Sequence, residues 1–100
     1  MARRLPVAKA QIDPEIHTLA DLGAMVRNKR AQAQLRVDDA ALASGASADT
    51  LSRLENGRPV TTDKLMTLLS GLGLTMLIVD SVHASQIKVA LINLPKADRG

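Results

Sequence analysis

The chain has 100 residues, a formal net charge of +3, no cysteine and no aromatic residue. That length holds one small domain, and the missing cysteines exclude disulfides, zinc ribbons and thiol chemistry. The missing rings argue against single-strand nucleic-acid binding, which stacks bases on aromatics, and no apolar run approaches the ~20 residues of a membrane span.

With no signal peptide in view either, the sequence reads as that of a cytoplasmic protein. A core built only from Ala, Leu, Val, Ile and Met is thin for this length, so burial across a subunit interface is expected. Basic residues load the amino-terminal end (Arg3, Arg4, Lys9), the next segment (Arg27, Lys29, Arg30, Arg36) and the middle (Arg53, Arg58, Lys64). Acids interrupt them at Asp38, Asp39, Asp49, Glu55 and Asp63. The bias suits a polyanionic partner without demanding one.

Residues 1–17 contain Pro6 and Pro14 and show no sustained periodicity, so they read as an arm. Thr18 caps the first predicted helix, with Asp21 placed at the positive end of the dipole. Leu19, Leu22, Val26 and Arg30 recur at helical spacing, flanked by Met25, and the helix ends near Ala33-Gln34. A second helix runs from about Val37 to Ser44, and Gly45 is a natural left-handed terminator. Ser47 caps a short third helix that closes at Asn56-Gly57. Thr61 or Thr62 caps a fourth, in which Leu65, Leu68, Leu69 and Leu72 form one apolar stripe before Gly73.

The character then changes. "LTMLIVDSV" is β-branched and apolar and reads as a strand over 74–80. A lone strand cannot satisfy its backbone groups. Its partner is either "QIKVALINL" at 86–94 or the same strand of a second subunit, and this requirement points to a dimer. Residues 81–100 form a tail, either a second strand, through alternating Ile87, Val89 and Leu91, or disordered.

The second and third helices, joined tightly at Gly45-Ala46, have the outline of a helix-turn-helix. In that arrangement the first helix crosses the DNA backbone and the second enters the major groove with its amino-terminal half. Ser47, Ala48, Asp49, Ser52 and Arg53 can face outward while Leu51 and Leu54 face inward. A solvated helix in a small bundle would show the same pattern, so periodicity alone leaves both readings open.

The stretch "LGAMVRNKRAQAQLRVDDAALASGASADTLSRLENGRPVTTDKLMTLLSGLGL" resembles the lambda-repressor-like, XRE or Cro/C1 type, helix-turn-helix family. The matching residues are Leu22-Gly23, Arg30, Leu35, Ala41, Gly45, the string Leu51-Ser52-Arg53-Leu54-Glu55-Asn56-Gly57, and Leu72-Gly73. The resemblance implies a mainly α fold: a helix-turn-helix bundle over 18–73. The continuation "LMTLLSGLGLTMLIVD" is similar to the HipB-type antitoxins, in which the last helix runs into a strand that pairs with its twin. This implies an intersubunit β lid built from Leu74, Met76, Leu77, Ile78 and Val79. It also implies a homodimer that binds palindromic double-stranded operator DNA and holds a HipA-type serine/threonine kinase toxin.

Carried onto this chain, the family pattern places Ser47, Ala48, Asp49, Ser52 and Arg53 at the base edges. Arg53 can donate a bidentate pair to guanine O6 and N7, or contact a phosphate or a surface acid instead. Asp49 can accept from cytosine N4 or steer Arg53 one turn onward. Asn56 and Arg58 match backbone-contacting positions, and Lys29 and Arg36 are further phosphate candidates. Arg30 and Glu55 match a structural ion pair buried between the first and third helices.

The chain also departs from the pattern. Arg36-Val37 stands where the family has Thr-Gln, so charge replaces a glutamine anchor. Ala40 and Ser44 stand where leucines are usual, and Leu42 falls at a normally exposed position. Either the second helix is rotated or shifted, or Leu42 serves a protein contact.

No enzyme is expected. His17 and His83 have no paired carboxylates or nucleophile beside them, "SGLGLT" lacks the lysine of a phosphate loop, and no cluster has metal-ligand spacing, so neither metal nor cofactor is implied. Two binding functions remain: a HipB-like antitoxin and autorepressor, or a stand-alone XRE-type regulator without a toxin.

Overall fold

The computed structural model describes residues 13–94. Most of the expected arm (1–12) and the end of the tail (95–100) lie outside the described residues. Five α-helices occur in the described part: α1 (Leu19–Gln32), α2 (Val37–Ser44), α3 (Ala48–Glu55), α4 (Thr62–Gly71) and α5 (Ala84–Ile92). A 3-10 turn at Ser81–His83 precedes α5.

Local chemistry accounts for the helix ends. The Thr18 hydroxyl accepts from the Asp21 backbone N–H at 3.1 Å, and the Asp21 carboxylate accepts in return from the Thr18 N–H at 3.1 Å. This reciprocal capping box satisfies two donors that the first turn leaves without helical partners. Asp21 also accepts from the His17 N–H at 3.0 Å. These backbone bonds, that from His17 foremost, hold its carboxyl below the usual range. Ser47 caps α3 by accepting from the Thr50 N–H at 3.1 Å. Between α2 and α3, Gly45 takes φ 78°, and the Ala46 N–H reaches back to the Ala41 carbonyl at 3.0 Å.

The core sits where α1 to α4 meet. Val26, Leu51, Leu54 and Leu68 are fully buried, joined by Ala40, Ala41, Leu69 and Leu72. α3 packs on α1 and α2, and α2 also packs on α4. Thus α3 has a buried rear face and an outer face left to solvent. Of the expected α1 stripe Val26 and Arg30 are buried, joined by Ala31, whereas Leu19 is exposed.

The unusual residues of α2 are explained by α4. Ala40 and Ser44 are buried, and Leu42 is 83% exposed, so the register of α2 points its small residues inward. A Cβ on Gly71 would stand 2.4 Å from the Ser44 Cα. The two helix backbones therefore approach too closely for leucine at these positions. Small residues on both sides, Ser44 and Gly71, allow this close approach.

Past Gly73 the strand expected at 74–80 is not shown in the single chain, and the one expected at 86–94 is corrected. Residues 74–80 carry no regular secondary structure, and no strand occurs among the described residues. A strand is defined by its ladder, and the described part of a single chain offers none. The 86–94 stretch is not a second strand either, since α5 covers most of it. Ile87, Val89 and Leu91 alternate, but Ala84, Ile87, Lys88 and Leu91 also stand at i, i+3, i+4 and i+7. With Ala, Gln and Lys as good helix formers among them, the helical period prevails.

Candidate DNA-recognition site

The outer surface of α3 is built from its cap outward. Ser47, Asp49, Ser52 and Arg53 are exposed, while Leu51 and Leu54 behind them are fully buried. The structure thus brings four of the five sequence-predicted base-facing residues to one solvent-open surface. Ala48 differs, being half-buried and packed against the core. Thr50, which pattern reading passed over, is buried, and its hydroxyl accepts from the Ser47 hydroxyl at 2.9 Å. That bond fixes the cap side chain at the leading end of the helix.

Arg53 does not turn to Asp49. Its Nη2 donates to the Pro59 carbonyl at 3.3 Å, across the loop that follows α3. This long, exposed bond holds the guanidinium loosely and leaves its other donors available. Asn56 donates from Nδ2 to the Ser52 carbonyl at 2.7 Å, closing the last turn of α3. The Arg58 N–H bonds the Arg53 carbonyl at 2.9 Å, so the Arg58 side chain is carried on a fixed backbone. Arg36, Asn56 and Arg58 are exposed, whereas Lys29 is half-buried and lines a cleft towards α5.

Beneath this surface lies the charge pair that the family pattern implied. Arg30 Nε and Nη2 donate to the Glu55 Oε2 and Oε1 at 2.6 and 2.7 Å. The Arg30 Nη1 donates to the Leu35 carbonyl at 2.9 Å. One guanidinium therefore ties together α1, the α1–α2 link and the end of α3. The bidentate fork is the strong form of this contact. Arg27 adds a third interaction, its Nε 3.6 Å from Glu55 Oε1. Its i, i+3 spacing from Arg30 was a legible signal for that role. Gly23 sits where a Cβ would meet the Leu54 carbonyl oxygen at 2.3 Å, so α1 lies directly against the end of α3.

His17 and His83 are exposed, and His17 is engaged with Glu15 at 2.7 Å. Among the described residues no group of three or more His, Asp or Glu could hold a metal ion. No helix among them is long and apolar enough to cross a membrane.

Comparison with known proteins agrees with this architecture. A family model described as a helix-turn-helix domain matches residues 21–76. Among solved structures, two crystal structures of point mutants of the restriction-modification controller protein C.Esp1396I are similar. One aligns with a TM-score of 0.51 at 20% identity, over 74% of this chain and 89% of that chain. The other aligns with a TM-score of 0.50 at 20% identity, over 74% and 93%. At that identity the likeness is one of fold. No curated protein matches the chain significantly. The family match covers α1 to α4 and the outward face of α3, and the chain belongs to the XRE-like helix-turn-helix family, whose domain binds DNA.

Proposed function

We propose that this chain is a cytoplasmic, sequence-specific transcriptional regulator that binds palindromic operator DNA as a dimer. The observation that carries the reading is the outer face of α3, where Ser47, Asp49, Ser52 and Arg53 stand open over a fully buried Leu51 and Leu54. A helix so mounted can enter the major groove without disturbing the core. Arg53 reads a guanine, Ser47 and Ala48 lie along the leading edge, and Asp49 and Ser52 complete the base-facing set. Asn56, Arg58 and Arg36 hold phosphates, and the half-buried Lys29 is a more peripheral phosphate contact.

Two substitutions separate these roles. Arg53→Ala is expected to relax base preference at one position per half-site, a loss of ~1–3 kcal/mol of discrimination. Arg58→Ala is expected to weaken binding to all sequences alike and to lower the salt slope by about 1. Unchanged base preference in Arg53→Ala would move Arg53 to the phosphate contacts and remove the specificity assigned to it.

A second reading makes the protein a HipB-like antitoxin that autoregulates its operon and neutralises a HipA-type kinase toxin. It is favoured by the apolar run behind the bundle, in which Leu77 is 72% and Ile78 is 90% exposed. A lid formed by Leu74, Met76, Leu77, Ile78 and Val79 with the same residues of a second subunit would cover that run and complete its ladder. Copurification decides between this and a stand-alone regulator. A kinase-sized partner retained through high salt supports the antitoxin, and its absence supports the regulator.

A further inference from the structure

The carboxyl-terminal helix is joined to the rest of the molecule in an unusual way. α5 buries no residue, and the element it chiefly packs on is the 3-10 turn immediately before it. Between α5 and α1 lies a cleft of about 560 Å³, lined from α1 by Met25, Asn28, Lys29 and Gln32 and from α5 by Leu91 and Ile92. A seat this open contributes little dispersion energy, because many lining atoms face space instead of one another.

Among the described residues, α5 is fastened by charge. Lys88 Nζ stands 3.1 Å from Glu15 Oε1 and 3.3 Å from Asp13 Oδ2, both on the segment leading into α1. The other oxygen of Glu15 is taken by His17 Nε2 at 2.7 Å. Asp13 is held below its ordinary range foremost by the Glu15 N–H it accepts, Glu15 by its bonds to Lys88 and His17, and Lys88 is raised by Glu15 and Asp13. Surface ion pairs of this kind are individually weak and screened by salt. A helix with a loose seat and a weak fastening is a low-stability unit that opens on its own.

We propose that residues 81–94 are a releasable strap, fastened to residues 13–17 by the clasp of Lys88 with Asp13 and Glu15, and that its release opens the cleft and uncovers its apolar residues Met25, Leu91 and Ile92. The bundle of α1 to α4 stays folded when the strap opens, since its core uses no side chain from α5. Strap opening precedes unfolding of the bundle.

The test compares the full-length protein, Lys88→Glu, and a charge-swapped variant carrying Lys88→Glu with Asp13→Lys and Glu15→Lys. Two readouts are followed at low salt: amide hydrogen exchange and fluorescence of an anilinonaphthalene dye that lights up on exposed apolar surface. Lys88→Glu is expected to exchange amides 84–92 at least several-fold faster and to bind more dye, with amides around Leu51 and Leu68 unchanged. The swap restores both, and raising the salt moves the unmodified protein towards Lys88→Glu. Equal exchange over 84–92 in all three proteins overturns the clasp. Parallel loss of protection at Leu51 and Leu68 overturns the strap, because α5 would then be part of the cooperative bundle.

Discussion

Glu55 shows how much of the recognition surface rests on one buried carboxylate. It takes two short bonds from Arg30 and a longer contact from Arg27, with its side chain 2% exposed. Glu55→Ala leaves the Arg30 guanidinium buried without its counter-charge and is expected to cost ~3–5 kcal/mol in urea unfolding. The double replacement Arg30→Met with Glu55→Leu removes both charges and is expected to recover most of that loss. Equal losses in the single and double variants would show that the pair contributes more than charge compensation. At this scale the sequence was informative wherever contacts are local or follow the family pattern. Thr18 and Ser47 were readable as caps because a cap is chosen by neighbours three residues away. The turn of Arg53 towards Pro59 was not readable, because it depends on the path of a loop that no periodicity describes.

Among the elements, α2 and α4 set the distance at which α3 is presented. Their backbones meet at Gly71 and Ser44, where a Cβ would lie 2.4 Å from the Ser44 Cα and 3.0 Å from its carbonyl oxygen. Gly71→Ala is therefore expected to push the helices apart and to cost ~1–3 kcal/mol as overpacking. Adding Ser44→Gly removes the Ser44 Cβ at 2.5 Å but should not restore stability, since the Cα at 2.4 Å and the carbonyl oxygen at 3.0 Å are backbone. Full recovery in that double variant, measured by urea unfolding, would place the conflict in the serine side chain instead. The helices α1 to α4 were legible because each carries a local signal: side-chain caps at Thr18 and Ser47, glycine stops at Gly45, Gly57 and Gly73, and the leucine stripe of α4. Ala40, Ser44 and Leu42 left open a rotated or shifted α2 or a protein contact at Leu42, since the sequence does not reveal how closely a partner helix approaches. α5 was missed for a related reason: Ile87, Val89 and Leu91 satisfy the strand period, and Ala84, Ile87, Lys88 and Leu91 satisfy the helical one.

For the whole molecule, the segment behind the bundle is the part left incomplete in a single chain. Met76, Leu77, Ile78 and Val79 are all exposed, a continuous apolar run without regular structure. The sequence identified this run as needing a partner but could not supply one, because a ladder shared between subunits is absent from either alone. If a second copy covers it, Ile78→Glu is expected to yield monomers by sedimentation, with operator affinity greatly reduced. Persistent dimers of that variant would remove the segment from the interface. The central claim, that two copies of α3 read two symmetric half-sites, is tested most directly by selecting bound duplexes from a random-sequence library with the purified protein. The selected sequences are expected to share a two-fold motif whose half-sites lie about one helical turn apart, ~34–36 Å. Enrichment of no common motif, or of one without two-fold symmetry, would contradict it.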